Sequence, residues 1–175
     1  MNKLKGFLLF TFSMSILSFY GCNSDEDENA NNNDIIGVWS VTAASADFNI
    51  GETSLVDYLI NTLQLSQIEA QAFETAISEG FTDGFDGTIE FKVDNTYIAE
   101  FGDDPAETGT WELFDNGNKI RITETGDDSS TELDILSVTS STMVLAFNES
   151  ESDDLDGDGT DEEISIEIEM TLQKQ

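Results

Sequence analysis

The chain has 175 residues, of which 37 are Asp or Glu and 6 are Lys or Arg, for a formal charge of −31. Charge of that sign and density opposes nucleic acid and anionic membrane surfaces alike, and favours solubility, divalent cations and basic partners. There is no His, and the one Cys falls at position 22, which excludes His-based triads, a Cys nucleophile within the domain and His-ligated zinc.

The N-terminus reads as an export signal. Lys3 and Lys5 make a basic start. The apolar run from Phe7 to Leu17 is interrupted by Thr11, Ser13 and Ser15, and falls short of the ~20 apolar residues of a bilayer span. It ends in Phe19-Tyr20-Gly21-Cys22, which resembles a lipobox, a small residue followed by the modified Cys. Residues 1–21 are therefore expected to be a lipoprotein signal peptide, and Cys22 to carry covalent lipid that anchors the mature chain to a membrane. Cleavage would remove two lysines and no acid, moving the formal charge from −31 to −33. Residues 23–34 hold no large apolar side chain, so a flexible acidic tether is expected over 22–34. Its Asp25-Glu26-Asp27-Glu28 run resembles the export signal that sends lipoproteins of some gram-negative bacteria to the outer face of the outer membrane. A merely solvated linker is the other reading of that run. The expected location is the outer membrane, lipid-anchored and exposed at the cell surface.

Residues 35–175 suit one domain with a sizeable core. Short alternating runs separated by turn residues dominate, the pattern of an antiparallel sheet with one buried face. A first strand is expected over 35–46, with Trp39, Val41 and Ala43 on one side. Helical spacing follows at 54–79, with a capping box Ser66-Gln67-Ile68-Glu69 starting a second helix and Gly80 placed to end it. This predicts a helical insertion over 52–86. Further strands are expected at 88–93, with Ile89, Phe91 and Val93 facing in, then at 96–101 after an Asp94-Asn95 turn, and at 109–114. Asp115-Asn116-Gly117-Asn118 is a hairpin signal, because Asn-Gly accepts the positive φ of a primed turn. Ile120 and Ile122 mark the next strand, and runs at 131–138, 142–147 and Ile164 to Leu172 complete the set. Eight strands joined by hairpins predict an all-β, antiparallel up-and-down barrel, which removes exposed sheet edges by closing.

Gly37-Val38-Trp39 resembles the Gly-x-Trp signature at the start of lipocalin barrels. The run Gly87-Thr88-Ile89-Glu90-Phe91, the Asp94-Asn95-Thr96-Tyr97 turn and Gly109-Thr110-Trp111 look like lipocalin-like domains of secreted bacterial lipoproteins. The resemblance implies an eight-stranded barrel over 35–175 and a binding role. It also implies that the insertion sits at the open mouth, as a lid or a plug. Trp39 and Trp111 are read as core, since an aromatic side chain buries ~150–250 Å². Lipocalins usually stack an Arg on the signature Trp, and here Lys174 stands in that region without a flat guanidinium face. Glu90, Glu112, Glu167 and Glu169 read as outward strand positions, so their carboxylates do not make a glycosidase pair.

The stretch Asp154-Leu155-Asp156-Gly157-Asp158-Gly159-Thr160-Asp161-Glu162 places carboxylates at alternate positions of a Gly-rich loop. It resembles the first nine positions of an EF-hand calcium loop, with Asp154, Asp156 and Asp158 as ligands, a carbonyl from Thr160, and Glu162 through water. Ser165 stands where that loop has a bidentate Glu, which implies weak Ca²⁺ affinity; the alternative is an acidic, solvated hairpin. Two functions are expected from the whole. One is a membrane-anchored, non-catalytic, lipocalin-like protein that binds a small apolar ligand. The other is an interaction or accessory subunit with a side-chain-filled barrel and a protein partner. Neither involves nucleic acid.

Overall fold

The computed structural model describes residues 30–126 and 129–175. The expected signal peptide at 1–21, Cys22 and the acidic run at 25–28 lie outside them. The elements in chain order are α1 (Asn32–Ile35), β1 (Gly37–Ile50), β2 (Thr53–Ser54), α2 (Leu55–Asn61), α3 (Gln67–Thr82), β3 (Gly87–Phe91), β4 (Thr96–Phe101), β5 (Glu107–Phe114), β6 (Lys119–Glu124), β7 (Thr131–Val138), β8 (Thr142–Asp153) and β9 (Glu162–Lys174). From β3 onward each strand pairs antiparallel with the next, and β9 returns to β1, Trp39–Ile50 lying against Ile164–Lys174. β2 is a two-residue appendage on β1, so the closed barrel has eight strands.

The barrel walls are of unequal height. β1 meets β3 only over Gly37–Ser40, while its later residues pair with β9 alone. β8, β9 and the second half of β1 therefore rise above the shorter strands, and α2 and α3 pack against this extension. The Ser78 hydroxyl donates to the Ala46 carbonyl at 3.3 Å, and Phe81 of α3 meets Phe48 of β1 edge-on.

At the opposite end, the base, the barrel is sealed by its own N-terminal segment. Asn31 caps α1 with a reciprocal Asn31–Asp34 box, and Ile35 is wholly buried. The Trp39 indole N–H donates to the Ile35 carbonyl at 2.7 Å. The Lys174 ammonium lies 4.9 Å from the centre of the Trp39 ring and donates to the Asp34 carbonyl, so Lys174 does cover the signature Trp as a point charge. Ala30 sits against Gly117, where a Cβ would fall 2.1 Å from the Ala30 carbonyl oxygen and where φ is +87°. Residues 30–34, expected in the tether, thus belong to the folded base. Apolar Ala30 and Ile35 flank polar residues whose side chains cap a helix rather than remain solvated.

Other boundaries also moved. Val93 is 80% exposed rather than inward, because β3 ends at Phe91 and the chain turns. The Lys92 carbonyl accepts from the Trp111 indole and from the Asn95 N–H, which fixes that turn. α3 runs through Gly80 to Thr82, since packing of Phe81 outweighs the ~1 kcal/mol helix cost of a glycine. β8 extends six residues past 147 because β9 pairs with it as far as Asp153–Glu162. The 115–118 loop uses positive φ at Asp115, Asn116 and Gly117, one residue more than Asn-Gly alone supplies.

Candidate functional site

Cross-strand register fixes which residues face the barrel interior, because directly opposed residues share a face. Near the base the inward set is dry: Trp39, Phe91, Ile120, Met143, Leu145, Ile168 and Leu172 are at most 1% exposed. Burying side chains of this size contributes about 1.5–3 kcal/mol each. Toward the mouth the faces of β4 and β6 open, while Phe48 and Ile50 on β1 and Phe147 on β8 stay buried. Ile122, opposite buried Trp111, is only partly buried, and so is Phe101, opposite Gly87.

Carboxylates stand on the inward faces of β5, β6 and β8 toward the mouth. Glu107 opposes buried Ala99, Glu124 opposes Gly109, and Glu149 opposes buried Ile166. Burial pushes the Glu107 carboxyl above the ordinary carboxylate value, reinforced by Glu124 and Asp104. Burial also raises Glu149, with Glu151 adding to the effect. The Tyr97 hydroxyl lies just below this rim, and burial together with Glu107 and Glu124 pushes it up to about 12. Tyr97 crosses Gly109, where any Cβ would sit 2.7 Å from its ring and 2.0 Å from the Thr123 carbonyl oxygen. Gly109 is what allows the aromatic ring to lie across the wall at this level.

The insertion reaches into this mouth. After α3 a 3₁₀ turn, Asp83–Phe85, delivers Phe85 between two opposite walls. Its ring centre is 6.2 Å from Phe101 on β4 and 6.1 Å from Phe147 on β8, both edge-on. Phe81 continues the chain of rings at 5.5 Å to Phe85 and 5.8 Å to Phe48. With β4 and β8 on opposite sides of an eight-stranded barrel, Phe85 is a stopper held by a hydrophobic strap.

Beside the mouth lies the loop between β8 and β9. Asp154, Asp156 and Glu162 bring carboxylate oxygens within 4.8 Å of one another. Asp158 stays outside this trio and accepts the Thr160 N–H at 2.7 Å. Sequence reasoning did not find Tyr58, on α2, which is 9% exposed and whose buried hydroxyl has no hydrogen-bond partner among the described residues. Burial pushes its hydroxyl up, and the charges of Glu162, Asp156, Asp154 and Asp158 add to the effect. A separate open cleft of about 330 Å³ lies outside the barrel around Thr110, Glu112 and Arg121. There Arg121 is already held by Glu112 at 2.7 Å and Glu132 at 2.9 Å, and it stacks on Phe114, which leaves it committed to the wall.

Residues 35–145 match the model of the lipocalin-like domain. Among solved structures the chain is similar to a DUF4847 family protein from Bacteroides vulgatus ATCC 8482. That match is 16% identical, covers 76% of this chain and 92% of that one, and has a TM-score of 0.34. No curated protein matches the chain.

Proposed function

The chain belongs to the lipocalin-like domain family, and from that premise we propose that it is a membrane-anchored, non-catalytic binding protein that takes a small, mainly apolar ligand into the mouth of its barrel. The observation that carries this reading is the incomplete burial of the inward faces of β4 and β6 at the mouth. Trp39, Phe91 and Met143 fill the base, whereas inward-facing Phe101, whose ring meets Phe85, and Ile122 remain partly exposed. A mobile apolar group can take the place of Phe85 there, since its ring contacts are edge-on and the exchange conserves buried area.

The rim decides the ligand's other end. Glu107, Glu124 and Glu149 point inward at the level where a head group would sit. A fatty-acid carboxylate is repelled at that level, while a neutral or cationic head is accepted. With chain length held fixed, an alkylammonium probe should therefore bind the mature chain more tightly than the alkyl carboxylate. Competition against a fluorescent apolar probe measures the order, and tighter binding of the carboxylate would contradict the assignment of the rim.

A second reading, an interaction subunit with a filled barrel, draws on the outer face of the insertion, where Ile68 is 80%, Phe73 46% and Leu63 41% exposed. Anchoring in either reading rests on lipid at Cys22. A Cys22→Ala chain should lose labelled palmitate and leave the membrane fraction, and persistence of label would refute the anchor.

A further inference from the structure

Taking the lipid anchor at Cys22 from the proposed function, we propose that the base of the barrel is a membrane-docking face. Val93, Lys92, Lys119 and Lys174 meet the phosphate head groups of the anchoring bilayer, and the mouth opens away from it. Ligand then enters from the solution side rather than out of the bilayer.

The chain enters the folded domain at the base. Ala30 packs against Gly117 between β5 and β6, and Ile35 of α1 lies there beside Trp39. Residues 22–29 precede this contact, and eight residues at ~3.5 Å each reach at most about 28 Å. β9 has 13 residues, so at ~3.3 Å per residue and a tilt of about 40° the raised wall stands roughly 33 Å high, before the helical insertion is added. A tether fixed at the base therefore falls short of laying the mouth on the bilayer.

Charge is divided along the same axis. The described residues hold four Lys and Arg, and all four lie toward the base. Lys92 is in the β3–β4 turn, Lys119 opens β6 just after Gly117, Arg121 stacks on Phe114 at the end of β5, and the Lys174 ammonium covers Trp39. At the other end the insertion, the β4–β5 loop and the β8–β9 loop carry acids and no Lys or Arg. A negative head-group layer repels that end, whereas ion pairs such as Lys119–Asp134, at 2.9 Å, offset the acids of the base.

The apolar tip of the base is the independent observation. Val93 is 80% exposed next to Lys92, while the Asp94 carboxylate is turned back onto Thr96, accepting its hydroxyl at 2.6 Å and its N–H at 3.1 Å. Leu136, 55% exposed, lies two residues beyond the Asp134–Lys119 pair toward the base. Apolar side chains beside lysines suit the membrane interface, where carbon stems meet acyl chains and ammonium groups reach phosphate. Leu63, Ile68 and Phe73, the exposed apolar residues of the insertion, have no such lysines on their element.

The test uses the lipidated chain in phosphatidylcholine vesicles with and without phosphatidylglycerol. Because the one Cys is taken by lipid, Val93→Cys and Ile68→Cys each place a single fluorescent label at an exposed position. Flotation reports the anchor, and quenching by lipids with head-group nitroxides reports the orientation. Quenching should be several-fold stronger at position 93 than at position 68. Lys92→Gln with Lys119→Gln removes only exposed ion pairs, of little worth to stability, and should narrow that difference in the anionic vesicles alone. A chain that floats with equal quenching at both positions, or stronger quenching at 68, would overturn the docking face while leaving the anchor intact. A chain that fails to float would overturn the anchor and the docking face together. An unchanged difference in the double lysine variant would overturn the part given to the cations.

Discussion

At the scale of single residues, the acids at the mouth act against stability in a way that the surface acids do not. Burial holds the Glu107 and Glu149 carboxyls above their ordinary value. The folded chain therefore binds these protons more tightly than the unfolded chain, and the sign follows. Below the ordinary carboxylate value both states are protonated and no penalty exists. As pH rises through the raised folded values, the folded state loses stability. Asp94 and Glu69 are lowered by hydrogen bonds from Thr96 and Ser66 and work in the opposite direction, but they are exposed and solvent screens them. Moving from about pH 7 to about pH 5 should thus increase resistance to urea, and Glu107→Gln with Glu149→Gln should be more stable than the native chain at pH 7 with a flatter pH slope. A double variant less stable at neutral pH would show that these carboxylates are held by favourable contacts instead. At this scale the sequence was partly legible. The outward positions of Glu112, Glu167 and Glu169 follow from strand alternation, and they are exposed. Glu107 and Glu149 were lost among 37 acids because both lie beyond the ends expected for their strands.

At the scale of elements, propensity and turn chemistry located most pieces, while tertiary contacts set their ends. The strands at 96–101 and 131–138 and the Ser66–Glu69 capping box lie where alternation and capping place them. β8 reads as ending at 147, because Asn148 to Asp153 is polar throughout; only pairing with β9 makes it strand. The helical insertion is legible as an insertion, but the role of Phe85 is not, since its partners Phe101 and Phe147 are distant in sequence. Tyr58 was missed for the same reason: the acids that raise its hydroxyl lie about a hundred residues away, from Asp154 on. If Phe85 is the stopper, Phe85→Ala should cost about 1–2 kcal/mol, less than the 3–5 typical of a fully buried Phe, because Phe85 is half-buried. The same variant should bind an apolar fluorescent probe faster and more tightly. A large loss of stability with no gain in probe binding would make Phe85 an ordinary core residue.

For the whole molecule, closure of β9 on β1 leaves the barrel without a long free edge, and α1 seals the base with Ile35 against Trp39. No helix among the described residues is long and apolar enough to cross a membrane. The asymmetry between a dry base and an aromatic-stoppered, acid-rimmed mouth is the central claim, and methyl NMR tests it most directly. The chain from residue 22 onward, with Cys22→Ser and labelled isoleucine methyls, would be titrated with a medium-chain alkylammonium. Binding in the mouth predicts saturable shifts at Ile122, smaller ones at its inward neighbours, and none at Ile68 on the outer face of α3. Shifts confined to Ile68, or no saturable shift at Ile122, would contradict a ligand site in the barrel and favour the filled-barrel, partner-docking reading.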